Sequence, residues 1–411
     1  MHLERRRSST QEELPLEGMR ICALVSNDTS RDSRVKKECV ALVEAGAQVT
    51  LVGFGHFYPE QADSLPYRLV LVKPYNLPRW LTDLGRETVW YPIRVTVNTL
   101  ILNPYRKRMF ASVRRPMTSA LQDDQFDVIH ANDFDMLATG AALAQRHQAK
   151  LVYDSHEIFL APGLLGLKPQ AEERFRQEES RLLQQVDGFI TVNPRIGEYL
   201  SALYKPPIQP VIIYNGSTRC VPEAKPAHQP LRILFLGGLR SFFHFPQLIA
   251  QMARYRGKIE FTLQGHGDDQ AAIRKAISAS GTQDFIRLVP PVDTFSIVDS
   301  SKDFDLGLLN SQARNLNEIM CSPNKLFDYL SAGLGIVASS QLTFIGSVIE
   351  ETGCGFSYDQ QRPEDLFAAL DHLIEHPEEV SAMKRKALAT APRFSWDAQK
   401  PKLIELYRSL K

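Results

Sequence analysis

Charge of one sign is what this sequence most clearly lacks. Its 48 lysines and arginines are matched by 47 aspartates and glutamates, for a net charge of +1. That balance argues against a whole-chain electrostatic partner such as nucleic acid and leaves room only for a local basic patch. Long apolar runs are missing too, since none reaches the roughly 18 residues of a membrane span. The opening stretch MHLERRRSSTQEELPLEG has arginines but no apolar core, so it does not read as a secretory signal; it reads as a disordered tail over 1–17. Cysteine is scarce and odd in number, with five residues at 22, 39, 220, 321 and 354 and no CxxC pair. Reduced thiols in a cytoplasmic protein are expected rather than a disulfide framework.

What is present is a strand–helix alternation that runs twice. The 411 residues are too many for one ordinary core, so two domains are expected. RICALVS, QVTLVGF, DVIH, KLVY, GFITV and PVIIY are short apolar runs, separated by helical patterns such as 32–46 and 135–147. Continuous rather than alternating apolarity predicts strands covered on both faces, hence parallel sheets. After the proline-rich CVPEAKPAHQP the alternation restarts with RILFLG, IEFTLQG, FIRLV, DLGLL and GIVAS, with helices near 246–256, 268–280, 323–332 and 364–375. The fold class is therefore α/β, two Rossmann-like doubly wound parallel-sheet domains facing a cleft. Residues 18–215 form the first domain and 216–390 the second, with a C-terminal helix over 391–411. Residues 73–118 interrupt the pattern with two of the three tryptophans and the basic cluster Arg106, Lys107, Arg108, Arg114 and Arg115. Two readings stay open there, a solvated helical insertion or an interfacial segment on an anionic membrane surface.

The polar residues of interest gather where strands end. In CSPNKLFDYLSAGLGIVASS, Ser322 is expected to cap a helix that stops at Gly333. Asn324, Lys325 and Asp328 occupy its first two turns; Lys325 suits a phosphate and Asp328 a pair of vicinal hydroxyls. A surface ion pair three residues apart is the plain alternative. FLGGLR ends a strand in Gly237 and Gly238, where a diphosphate could approach the backbone, with Arg240 adding charge; LQGHGDD repeats the turn at Gly265, and ordinary tight turns are the plain alternative for both. In the first half, His130, Asn132 and Asp133 follow one strand, and Asp154, Ser155, His156 and Glu157 follow the next. Neither cluster has His-x-His or HExxH spacing, so hydroxyl binding is expected there and a metal is not; satisfied polar residues at strand ends are the plain alternative. Arg34, in SNDTSRDSRVKKE, would border the same edge as an acceptor contact, or lie on a solvated helix face.

Taken in order, RDSRVKKECVALVEAGAQVTLV, DVIHANDFDMLATGAALA, KLVYDSHEIF, VDGFITVNPRIGEYL, VIIYNG, SPNKLFDYLSAGLGIVAS and FSWDAQKPKLIELYRSL resemble the successive blocks of the GT-B glycosyltransferases of the family-4, glycogen-synthase-like type, in particular bacterial exopolysaccharide and lipopolysaccharide members. The resemblance implies a retaining, metal-independent hexosyltransferase with no cofactor. Its partners would be a nucleotide sugar and a glycan or lipid-linked acceptor, and its place the cytoplasm, on the inner face of the membrane if the basic segment binds there. It implies donor contacts from Gly237, Gly238, Arg240, Gly265, Asn324, Lys325 and Asp328, catalytic roles for His130, Asp133, His156 and Lys325, and a sugar-facing edge of Arg34, Asn132 and Glu157. It also implies a last helix, 396–411, that returns to the first domain.

The departures are specific. Met320 stands where the family often has the first of two glutamates, and Glu318 is two places away. Phe242, Phe243 and His244 occupy the loop that usually supplies a phosphate cation, which leaves Arg240 as the only substitute, and Asn132 stands where many members have histidine. A catalytically degenerate binding or scaffold subunit is therefore the alternative to an enzyme, with a nucleotide-sugar epimerase a further one.

Overall fold

The computed structural model describes residues 14–29, 32–54, 64–72, 114–162, 164 and 169–411. Among the described residues thirteen strands fall into two sheets. The first sheet uses β1 Arg20–Asp28, β2 Gln48–Phe54, β3 Arg68–Leu71, β4 Val128–Asn132, β5 Lys150–Ser155, β6 Gly188–Thr191 and β7 Val211–Ile212, in the order β3-β2-β1-β4-β5-β6-β7. The second uses β8 Leu231–Leu236, β9 Ile259–Gln264, β10 Ile286–Val289, β11 Leu306–Leu309, β12 Gly335–Ser339 and β13 Gly355–Tyr358, in the order β10-β9-β8-β11-β12-β13. The pairings of β1 with β2 and β4, and of β8 with β9 and β11, are parallel. Each sheet thus reverses its strand order once, at β1/β4 and at β8/β11, where a doubly wound sheet opens a crevice beyond its carboxyl ends.

The chain divides into two compact units. One holds Met1–Asp154, Gln185–Gly188 and Leu403–Lys411; the other holds Ser155–Gln184 and Phe189–Lys402. The helix Trp396–Arg408 therefore contributes its last turns to the unit that contains β1.

Continuous apolarity has the expected consequence. Every residue of β4, β6, β11 and β12 is buried. Along β8 successive side chains alternate between faces. Ile233 and Phe235 join one core with Phe245, Phe261 and Leu263; Leu234 and Leu236 join another with Leu326, Tyr329 and Ile336. The predicted strands are all present, but β3 and β13 add to them. Both are short and poorly covered, and Gly-Phe-Ser-Tyr of β13 carries too little apolar pattern to stand out.

Two local expectations need correction. Residues 14–17 do not belong to a loose tail, because Leu16 is fully buried and its N–H donates to the Ala45 carbonyl at 2.8 Å. Ser322 does not cap its helix. Pro323 holds the cap position of Asn324–Ser331, while the Ser322 hydroxyl is bonded to the Val192 carbonyl and accepts from Asn193 Nδ2. Of the basic segment 73–118, only 114–118 fall among the described residues; there Arg114 and Arg115 are exposed on a helix over 114–120. Arg106, Lys107 and Arg108 lie outside the described residues. Among the described residues no helix is long and apolar enough to cross a membrane.

Candidate functional site

A cavity of about 520 Å³ opens beyond β8, β9 and β10 in the second unit. Its walls are built by two glycine turns and one helix end. Gly237, at φ 116°, turns the chain off β8, and Gly265 turns it off β9. The two turns are bonded edge to edge, Gly237 N–H to the Gln264 carbonyl and Leu239 N–H to the His266 carbonyl. The fit is so close that a Cβ on Gly265 would stand 1.8 Å from the Gly237 carbonyl oxygen. Only glycine allows this contact, which brings bare backbone to the cavity wall.

The opposite wall is helix α1, Asn324–Ser331, which places Asn324, Lys325 and Asp328 on the cavity. A single tyrosine fixes this helix against the sheet. The buried Tyr329 hydroxyl accepts from Leu236 N–H at 2.8 Å and lies 3.3 Å from the Leu234 carbonyl, which it donates to. Gly307 makes room for the ring, since a Cβ there would come within 2.3 Å of it. One turn earlier on the helix, Lys325 Nζ sits 4.0 Å from the centroid of Phe235 and 5.3 Å from that of Phe243. Burial pulls its pKa down from the ordinary 10.5 to about 8. Among the described residues Lys325 has no ion-pair partner, which removes the plain pairing with Asp328. A cation held over aromatic faces without a carboxylate beside it is set to receive an anion.

The approach to this helix is tied down by asparagines. Asn193 caps the helix Pro194–Tyr204 through Oδ1, and its Nδ2 donates to the Met320 carbonyl and to Ser322. Asn317 accepts from Ile158 N–H and donates to Glu157 Oε2. Asn215 Nδ2 donates to Asn324 Oδ1 at 2.6 Å. The Asn-Pro pair at 193–194 is a helix-start signal, but nothing local in the sequence shows its second contact with 320–322.

Six of the expected donor residues therefore meet on one cavity: Gly237, Gly238, Gly265, Asn324, Lys325 and Asp328. Arg240 is not on the cavity wall. It is paired with Asp268 at 3.2 Å on the surface, with its Nε close to the space a Gly238 side chain would take. Phe243 packs against Phe235 and Phe245, beneath Lys325, and Phe242 lies under Arg314, so neither ring fills the cavity. Glu318 is engaged by Arg314 and does not substitute at Met320. Sequence reasoning missed Gln264, His266 and the apolar wall of Pro291, Val292 and Ile297, which become neighbours only through the sheet order.

In the first unit the expected edge residues are arranged differently. Arg34 does not border an open edge. It is 2% exposed, bonded to Asp154 at 2.8 Å and to Glu38 at 3.0 Å. Burial pulls its pKa down, but the two carboxylates outweigh that and raise it. His130 is interior as well, 1% exposed, with Nδ1 2.6 Å from the Tyr407 hydroxyl. Asn132 is buried and donates to the Leu24 carbonyl. All three are interior and are held by partners within the unit. Glu38, His130 and Asp154 place ligand atoms within 4.8 Å of one another, yet both carboxylates are already engaged by Arg34. Asp133 stays partly exposed at the end of β4, with φ 62° and ψ 166°, a conformation costly for a residue with a Cβ. In the second unit His156 is partly buried, and Glu157 spends Oε2 on Asn317.

Residues 33–216 match the family described as Glycosyl transferase 4-like domain. The chain carries a glycosyl transferase 4-like domain. It is 21% identical over 309 residues to the D-inositol 3-phosphate glycosyltransferase of Thermobispora bispora, spanning 69% of this chain and 70% of that protein. Sucrose-phosphate synthase from Thermosynechococcus elongatus superposes with a TM-score of 0.72 at 16% identity, covering 95% of this chain and 99% of that one. The Anabaena protein HepE, solved in complex with UDP and glucose, superposes with a TM-score of 0.66 at 14% identity, covering 95% and 100%. At such identities the likeness speaks for the fold, which is GT-B. The 4-like domain contains the Arg34–Asp154 network, while the cavity around Lys325 lies beyond its end.

Proposed function

We propose that this glycosyltransferase binds a nucleotide sugar in the cavity around Lys325 and transfers the sugar, with retention, to a glycan or lipid-linked acceptor in cell-surface polysaccharide synthesis. The observation that carries the reading is Lys325 itself, an unpaired cation at a helix start, facing two glycine turns. A diphosphate would meet Lys325, the first N–H groups of α1 and the backbone of Gly237 and Gly238. Asp328 would accept from ribose hydroxyls, and the wall of Pro291, Val292 and Ile297 offers an apolar rest for a base. As the glycosidic bond breaks, the bonding pair goes to the departing phosphate oxygen, whose growing charge Lys325 offsets. The acceptor hydroxyl would attack from the same face and lose its proton to that oxygen, so no metal is required. His156 is the side chain of the second unit that we assign to the reacting sugar, on the strength of the family resemblance.

A catalytically silent subunit is the second reading, and the missing loop cation favours it. Against it, the loop aromatics pack beside the cavity and leave it open. Arg240 is restrained only by a surface pair to the almost fully exposed Asp268, an interaction worth about 0–1 kcal/mol that a phosphate would displace. We further propose that the chain is cytoplasmic and that 73–118 attaches it to the inner face of the membrane. A panel of UDP-, GDP- and ADP-sugars, scored for binding and for hydrolysis, tests the central reading. UDP-sugars are the first to try, given the ligands of HepE. Binding that Lys325→Ala abolishes, together with turnover, is expected. Absence of binding across the panel would leave only the silent subunit.

A further inference from the structure

A second cavity, of about 260 Å³, lies in the same unit and shares no wall residue with the first. It is enclosed by the loop after β8, the helix Phe245–Met252, the segments that follow β11 and β13, and the helix Pro363–Glu375. Five of its wall residues are amides: Gln247, Gln251, Asn310, Gln312 and Gln360. No carboxylate, lysine or arginine is among its wall residues. Phe243, Leu366 and Phe367 supply an apolar floor.

Among the described residues the amides are not all satisfied. Asn310 is 4% exposed; its Nδ2 donates to the Phe243 carbonyl, and its Oδ1 is buried without a partner. Gln360 repeats the pattern, with Nε2 donating to the Asn310 carbonyl and Oε1 buried without a partner. A buried acceptor left unmade costs about 1–3 kcal/mol, and both of these side chains line the cavity.

The chemistry of the guest follows from the walls. An amide presents two donors and one acceptor, which matches a hydroxyl that donates and accepts. Apart from His244, the wall offers no ionisable nitrogen or carboxylate to meet an anion or cation that loses its hydration on entering here. The volume falls just below the usual range of about 300–1,000 Å³ for small-molecule sites, enough for one ring and too little for a nucleotide. An aromatic and aliphatic floor suits the C–H face of such a ring. We propose that this cavity is a second binding site, for one neutral sugar ring or a comparable polyol. Phe243 lies between it and Lys325, and the proposal does not depend on what the first cavity holds.

Saturation-transfer NMR on the full chain tests it, with glucose, N-acetylglucosamine and mannitol as probes at about 10 mM, a concentration that detects millimolar affinity. Gln251→Trp blocks the mouth from an exposed helix position and leaves the buried groups untouched. Asn310→Leu removes one amide from the wall. Transfer to at least one probe is expected in the wild type and in Lys325→Ala. Gln251→Trp should weaken it by about tenfold or more. Asn310→Leu should do the same, and Gln251→Trp alone decides if that variant fails to fold. No transfer from any probe overturns the proposal. So does transfer that survives Gln251→Trp, or that Lys325→Ala abolishes, since the sugar would then sit elsewhere. Stronger binding of glucose 6-phosphate than of glucose would overturn the neutral character of the site.

Discussion

Nucleotide binding should weaken as pH rises through 8, and Lys325 should be the reason. In the free protein its pKa is held near 8 by burial. At about pH 7 roughly nine-tenths of the molecules carry the charge, and at about pH 9 roughly one-tenth. A bound diphosphate favours the charged form and raises the pKa, so only the protonated protein binds well. UDP affinity should then fall about tenfold between those two pH values, while a lysine at its ordinary pKa would produce almost no change. The phosphate groups do not interfere, because their second ionisation, near 6, is complete below this window. Isothermal titration calorimetry gives the affinity and, in buffers of different ionisation heat, the proton taken up near pH 8. Lys325→Arg should flatten the profile, because guanidinium does not titrate here. Stability of the unliganded protein should run the other way. A lysine whose folded pKa is depressed favours the unfolded state while charged, so stability should rise with pH from about 8 to 10.5. A UDP affinity that stays flat from about pH 7 to 9 in the wild type, with no proton uptake, would refute the assignment of Lys325 to the phosphate.

The other predictions concern the walls of the cavity and the basic segment. Arg240→Ala should lower turnover of a nucleotide sugar by about tenfold, from loss of a phosphate contact, and Asp268→Ala should not lower it; a silent Arg240→Ala would reduce the residue to a surface pair. Gly265→Ala forces a Cβ onto the Gly237 carbonyl oxygen, so the turn must shift. Overpacking of this kind costs about 1–3 kcal/mol and should lower both the thermal midpoint and UDP affinity; an unchanged affinity would show the turn to be no part of the site. Tyr329→Phe leaves Leu236 N–H buried without an acceptor, at about 1–3 kcal/mol, and urea unfolding of the second unit should report it. Vesicles rich in anionic lipid should sediment the protein at low salt. Neutralising Arg106, Lys107 and Arg108 should release it, at about 1 kcal/mol per charge; wild type that ignores such vesicles would make the segment purely structural.

The sequence by itself determined the two parallel sheets, because strands buried on both faces must be apolar along their whole length. RILFLG and GIVAS show this pattern without reference to any neighbour, whereas Gly355–Tyr358, short and half covered, does not. It also marked Gly237, Gly265 and Lys325, since a glycine turn after a strand and a lysine at a helix start are local patterns. Only the tertiary structure decided which of the marked residues meet. The order β10-β9-β8-β11-β12-β13 puts the ends of β8 and β9 beside helix α1, although Gly265 and Lys325 are far apart along the chain. It also turned Arg34 and His130 inward. A strand-end polar residue looks the same in sequence whether it faces a ligand or a buried partner, and here the partners, Asp154 and Tyr407, come from distant segments. Whether Lys325 is an ordinary ion pair or an unpaired cation was likewise a question of packing: the rings of Phe235 and Phe243 take the place that a carboxylate would otherwise fill.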